Sequence, residues 1–238
     1  MTEVSGLIET DRLATLSVNG SDSLFWDGVA SLYTSFYIWI PLAVAAILLL
    51  IRNISAKRLL LVLLLVAVTV LLTDQLSSSV FKPLFHRLRP GRDPYILNMV
   101  DTVNGYRGGL YGFFSGHAAN SFGMGVWFVW LVRDIRLGLS VLGWAVINSL
   151  IRVCLGVHFV GDILVGSIAG CLIGSLTYCI YYLVSRKDRN RKPVHGSDLI
   201  YTSTGFMRSD VSVFLCVLFG TCSIILIGSC ITQGTVLI

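Results

Sequence analysis

Six apolar runs, each near the length that crosses a bilayer, govern what this chain can fold into. A hydrocarbon core about 30 Å thick takes roughly 20 apolar residues of helix. No water is present there to satisfy a free backbone amide, so only helices and closed barrels can span it. The runs cover residues 35–51 (with a start as early as Val29), 59–72 and the residues just after, 121–132, 137–155, 157–184 and 211–231. Hydrophobic residues make up 55% of the chain and charged ones only 13%, against about a quarter in soluble domains. The expected fold is therefore all-α, an integral membrane helical bundle of about six transmembrane helices. A single membrane-embedded domain is expected over residues 1–238.

Residues 1–28 carry Glu3, Glu9, Asp11, Asp22 and Asp27 against Arg12 alone, so the basic region of a secretory signal is missing. Val4, Leu7, Ile8 and Leu13 fall roughly on one helical face, which predicts a short interfacial helix. A solvated, partly disordered terminus is the alternative.

Cytoplasmic loops collect Lys and Arg. The first connection has Arg52, Lys57 and Arg58 without an acid, and the fifth has Arg186, Lys187, Arg189, Arg191 and Lys192. Both belong inside, and the third (Arg133, Asp134, Arg136) joins them by parity. The second connection, residues 77–114, and the fourth, around Arg152 to His158, then lie outside, with both termini. The net charge of +5 calls for no nucleic acid, because the cytoplasmic cluster is drawn to anionic lipid. All six cysteines fall within the runs without metal-ligand spacing, which predicts small buried hydrophobes.

Three polar blocks interrupt this apolar background. In Lys82-Pro-Leu-Phe-His-Arg-Leu-Arg89-Pro90, the outer cations are seven residues apart and can share a helix face, with Pro83 at its start and Pro90 at its end. Such a pair can clamp a phosphate; a juxtamembrane basic cluster including Arg87 and Arg92 is the other reading. In Phe114-Ser115-Gly116-His117, Ser115 is a natural N-cap and Gly116 lets the backbone approach an anion. His117 in the first turn is made a readier proton donor by the helix dipole; an N-capped helix whose histidine merely faces interfacial water fits equally. In Arg152-Val-Cys-Leu-Gly-Val-His158-Phe-Val-Gly-Asp162, the carboxylate four residues on can fix the histidine tautomer and leave the other nitrogen free to attack phosphorus. A structural Arg–Asp ion pair between two helices is the alternative. Charges at the boundary of an apolar span are expensive, which favours function.

Together the blocks resemble the signature of the type 2 phosphatidic acid phosphatase superfamily, K-x6-R-P, P-S-G-H and S-R-x5-H-x3-D. Lys82, Arg89 and Pro90 match the first part; Ser115, Gly116 and His117 match the second, with Phe114 in place of Pro; Arg152, His158 and Asp162 match the third, with Ile151 in place of Ser. The Ile151 departure removes a hydroxyl that can assist phosphate binding. The resemblance implies a metal-independent lipid phosphatase with no cofactor. His158 is then the nucleophile, oriented by Asp162, and His117 is the general acid. Lys82, Arg89, Ser115, Gly116 and Arg152 bind phosphate.

The implied partners are a membrane lipid substrate and the bilayer, with no statement of oligomeric state. The expected location is the bacterial inner membrane, with the site on the periplasmic side. Undecaprenyl pyrophosphate is the first expected substrate, then lipid A, with phosphatidylglycerol phosphate and phosphatidic acid as further alternatives. Headgroup contacts are expected in the loop 91–114, at Arg92, Tyr95, Asn98, Asn104, Tyr106 and Arg107. From other classes, a transporter would place its charges nearer mid-bilayer. A vanadate-dependent haloperoxidase shares the oxyanion-binding residues but is soluble.

Overall fold

The computed structural model describes residues 2–19, 23–186 and 199–236. Nine α-helices are found among them: α1 (Thr2–Asn19), α2 (Leu24–Thr34), α3 (Ile40–Asn53), α4 (Ala56–Gln75), α5 (Lys82–Phe85), α6 (Gly116–Val132), α7 (Ile135–Cys154), α8 (Val160–Ser185) and α9 (Arg208–Val236). Only two isolated β-bridges accompany them. Five described helical segments are long and apolar enough to cross a membrane: Phe36–Asn53, Ala56–Phe85, Ile135–Cys154, Val160–Ser185 and Arg208–Ile231. The sixth expected span is α6, whose 17 residues lie at the short end of the spanning range of about 17–25. The protein is an all-α membrane bundle.

The centre of the bundle is the seam between α6 and α8, which run parallel. Gly166, Gly170 and Gly174 recur every fourth residue of α8 and lie against the carbonyls of Ser115, Ala119 and Gly123 in turn. A Cβ at Gly166 or Gly174 would stand 2.5 or 2.6 Å from its facing oxygen, so only glycine permits this approach. Small residues at such intervals are how membrane helices gain packing energy when lipid is as apolar as the side chains. A few turns along, Trp127 of α6 donates its indole N–H to Thr69 of α4 and Thr177 of α8 (3.0 and 2.9 Å), and those hydroxyls bond each other at 2.6 Å. One hydroxyl donates to the other, and the accepting one donates its own proton to a carbonyl one turn back, so these buried polar groups are satisfied.

Because α6 and α8 are parallel, both begin at the same membrane face, and α7 returns between them. The opposite face is tied by ion pairs. Asp210 at the start of α9 accepts from Arg52 and Asn53 (3.0 and 2.9 Å), and Asp134, the N-cap of α7, accepts from Arg136 and Arg208 (both 3.1 Å). The first, third and fifth connections therefore share one face, as parity requires. Of the basic run expected to orient the fifth, Lys187, Arg189, Arg191 and Lys192 lie outside the described residues.

Of the two readings of the terminal segment, the helix is the one that forms: α1 is docked on the face where α6 and α8 begin, with Leu7 and Leu13 left exposed. Another expectation is corrected. The cysteines are not buried. Cys179, Cys216 and Cys230 are exposed and Cys154, Cys171 and Cys222 half-buried, because the spans present these positions outward, where lipid replaces protein as the apolar surroundings.

Overpacking the seam tests its role. Gly170→Val should lower the melting temperature in detergent, at a cost of about 1–3 kcal/mol. Gly220→Val, at a position with open space around it, should leave it unchanged.

Candidate active site

Lys82 is presented by a break in helical geometry. After Gln75, α4 widens into a π-helix over Leu76–Phe81 before the single turn of α5. Such widenings are frequent at functional sites. Ser77 within it donates to the carbonyl of Phe114 (2.7 Å), which ties the segment to the start of α6. Phe81 packs on the Phe85 ring (5.6 Å) and the Phe114 ring (5.0 Å). Phe114, where the family motif has proline, is fully buried there as an aromatic anchor.

The expected single helix carrying Lys82 and Arg89 does not form. His86 takes a left-handed conformation (φ 47°) and ends α5 after one turn. Arg89 is extended, and its backbone N–H reaches the carbonyl of Leu110 (3.3 Å). Pro90 begins a short 3-10 turn instead of stopping a helix. Arg89 reaches the site because the chain folds back: its Nε and Nη1 donate to the carbonyls of Tyr111 and Val157, each at 3.2 Å.

The second block behaves as the sequence predicts. Ser115 caps α6, its Oγ accepting from the Ala118 N–H (3.3 Å), and His117 stands in the first turn. Ser115 is fully buried, and its backbone N–H donates to the carbonyl of Asp162 (3.0 Å), joining the beginnings of α6 and α8.

In the third block, Arg152 closes the last turn of α7 and His158 immediately precedes Phe159, the N-cap of α8. Asp162 is fully buried, and its Oδ2 lies 3.3 Å from His158 Nδ1 and accepts the Phe159 N–H (3.1 Å). Gly112 covers this pair so closely that a Cβ would stand 2.9 Å from Asp162 Oδ2. Burial pushes the His158 imidazole below its ordinary range. The hydrogen bond and charge of Asp162 oppose this, and Arg89 and Lys82 reinforce it. The lowering favours the neutral ring, with Nδ1 toward the carboxylate and Nε2 free of it. Arg89 is likewise lowered, mainly by burial.

These elements enclose a cavity of about 140 Å³ lined by Lys82, Arg89, Gly116, His117, Arg152 and His158, together with Asp74, Tyr106, Asn120 and Val157. Six of the eight expected site residues meet there; Ser115 and Asp162 stand directly behind. Arg152 Nε is buried with no hydrogen-bond partner among the described residues, an orphaned donor that a bound oxyanion can satisfy. Ile151 does not face this cavity but packs with Val29, Tyr33 and Leu155. The hydroxyl absent at this position is therefore not a missing phosphate ligand.

Among the expected headgroup contacts, Tyr106 lines the cavity. Arg92 instead donates to the Gly108 carbonyl (3.2 Å), and Tyr95 lies under Arg12. Asp74 and Asn120 are additions to the expected set. Thr73 donates its hydroxyl to Asn120 Oδ1, which leaves the Asn120 amide as a donor. The sequence does carry signals for both, since Asn120 shares a helix face with His117 at i+3 and Asp74 is an acid within an apolar run.

The PAP2 superfamily model matches residues 58–186. This chain belongs to the PAP2 superfamily. It is 34% identical over 209 residues to a lipid A 4'-phosphatase of Bacteroides thetaiotaomicron, covering 87% of this chain and 91% of the relative. It is also 34% identical over 194 residues to a lipid A 4'-phosphatase of Porphyromonas gingivalis, covering 80% and 81%. No solved structure matches it significantly. This PAP2 protein is a membrane phosphatase, a phosphoric ester hydrolase, and most of its motif residues line the cavity.

The electrostatics of His158 can be read without turnover. In 15N-histidine-labelled protein in detergent, the His158 imidazole should remain neutral as pH falls through about 6.5, the ordinary value. That resonance should vanish in His158→Gln. A His158 resonance titrating at or above the ordinary value would contradict the burial argument.

Proposed function

We propose that this PAP2 protein hydrolyses a phosphate from lipid A without a metal, through a phosphohistidine formed on His158. The likeness to lipid A 4'-phosphatases over four-fifths or more of the chain carries the substrate assignment. It favours lipid A over undecaprenyl pyrophosphate, the first expectation from the sequence. The cavity supports the chemistry. His158 Nε2 attacks phosphorus in line with the departing sugar oxygen, while Asp162 holds Nδ1–H and offsets the charge growing on the ring. His117 gives its proton to the leaving oxygen, then takes one from the water that attacks the phosphohistidine and releases inorganic phosphate.

Lys82, Arg89, Arg152 and the amides at the start of α6, including that of Gly116, surround the three phosphoryl oxygens. They are set in place before reaction, so little reorganisation is needed as charge develops. Ser115 contributes by capping that helix and orienting its amides. Lys82, Arg89 and Arg152 supply the positive charge that offsets the phosphoryl oxygens.

Phosphate release in detergent, with EDTA present, should be clearly faster from lipid A bearing a 4'-phosphate than from undecaprenyl pyrophosphate, phosphatidylglycerol phosphate or phosphatidic acid. His158→Ala should reduce it by at least ~10³-fold, and acid-labile label from radioactive substrate should remain on the wild type only. A preference for undecaprenyl pyrophosphate would overturn the substrate, and near-normal turnover by His158→Ala would overturn the mechanism.

The basic connections favour a cytoplasmic location for the face carrying Asp134 and Asp210, and so a periplasmic site in the inner membrane. In a cysteine-free background, needed because three native cysteines are exposed, Asn98→Cys should react with an impermeant thiol reagent in intact spheroplasts. Leu199→Cys, at a position 90% exposed, should react only after lysis. The reverse pattern would put the site in the cytoplasm.

A further inference from the structure

Asp162 has two carboxylate oxygens, and the reaction as described uses one. The other, Oδ1, accepts from Arg87 Nη1 at 2.9 Å. Arg87 lies inside the first block, between the two phosphate-binding cations, yet it does not line the cavity. Its guanidinium lies over the Phe159 ring (4.0 Å to the centroid), and its Nη2 donates to Asp11 Oδ2 of α1 at 2.5 Å. Asp11 Oδ1 in turn accepts the backbone N–H of Gly161 (2.7 Å), and Thr15, one turn along α1, accepts that of Val160 (3.1 Å). The first free amides of the helix that carries Asp162 are therefore capped by side chains from another helix.

Three separate attachments hold α1 in this register. Arg12 donates to both oxygens of Asp93 (3.0–3.2 Å) and stacks on Tyr95 at 4.3 Å. Asp11 and Thr15 cap α8. Asn19, buried, accepts the Asp101 N–H (2.8 Å) and donates toward the carbonyls of Asp101, Val153 and Cys154 (2.9–3.0 Å). One helix thus spans the 91–110 loop, the end of α7 and the start of α8, all of which bear on the cavity.

We infer that Asp11 and Arg87 are positioning residues for the nucleophile: Asp11 holds Arg87, Arg87 holds Asp162, and Asp162 holds the His158 ring. The geometry commits each oxygen of Asp162 to a different donor, so its carboxylate cannot rotate away from Nδ1. The charge count gives the second reason. Arg87 alone would close a neutral pair with Asp162 and weaken its pull on the imidazole. Shared with Asp11, the three side chains carry one net negative charge beside the ring that becomes cationic when nitrogen bonds to phosphorus.

This inference rests on His158 as the nucleophile, and its test separates the two. In Asp11→Asn, kcat on the lipid that the wild type hydrolyses should fall ~10-fold, the scale on which outer-shell partners of a working histidine act. KM should be unchanged, because Asp11 does not line the cavity. The 15N shifts of His158 should show a reduced share of the tautomer protonated on Nδ1, a change that a merely structural loss would not give. Arg87→Lys, which keeps the charge but loses the two-sided fork, should show the same pattern. Wild-type kcat and His158 shifts in both variants would overturn the inference, as would a fall confined to KM. An active His158→Ala control would instead sink the mechanism beneath it, whatever Asp11 does.

Discussion

Along the seam between α6 and α8, three glycines let one backbone rest on the carbonyls of the other, and the site geometry depends on that contact. The two helices are parallel, so the contact that holds their middles together also sets their first turns side by side. One first turn delivers Gly116 and His117, and the other follows His158 and contains Asp162. The bond from the Ser115 N–H to the Asp162 carbonyl fixes their relative height. The start of α6 then presents its partial positive charge to the cavity, while the first amides of α8 are taken up by Asp11 and Thr15. A side chain at Gly166 or Gly170 would push the first turns apart before it disturbed anything else.

The spans and the His158–Asp162 pair are legible in the sequence because their causes are local. Apolar length gives a membrane helix, Ser115 before Gly116 gives a cap, and a spacing of four lets Asp162 reach back to His158. The path of the chain to Arg89 is not legible, because the left-handed turn at His86 carries no sequence signature; histidine there is neither glycine nor asparagine. The role of α1 is hidden for a different reason. Its apolar residues suggest a contact with lipid, but its polar residues attach it to the protein, and Asp11 is separated by 76 positions from Arg87. No local pattern reports a partner that far away. Asp74 and Asn120 stand out as polar residues in apolar helices, yet each is a weaker signal than the motifs around it.

Both faces of the bundle pair acids with arginines, and only the cavity gathers cations with few acids. On the face with Asp134 and Asp210, acids are matched by arginines, and the pairs join α3 to α9 and α9 to the start of α7. These pairs tie connections together, although exposed ones add little stability singly. On the other face, Lys82, Arg89 and Arg152 crowd into one cavity, and a buried nitrogen of Arg152 is left without a bond among the described residues. Concentrating like charges there opposes folding. An anion bound in the cavity would complete this arrangement, while Arg12 and Arg87 around it pair with acids as the arginines of the opposite face do.

The cavity's volume of about 140 Å³ lies well below the 300–1,000 Å³ of pockets that enclose a drug-sized ligand. It has room for the group being transferred and little else. The rest of a lipid must remain outside, against the rim and the bilayer. Chemistry and choice of substrate are therefore housed in separate parts of the molecule. The core can stay constant while the rim, built from the 91–110 loop and its surroundings, diverges to admit a new headgroup. A family built this way can acquire new lipids by editing its threshold and leaving its engine alone.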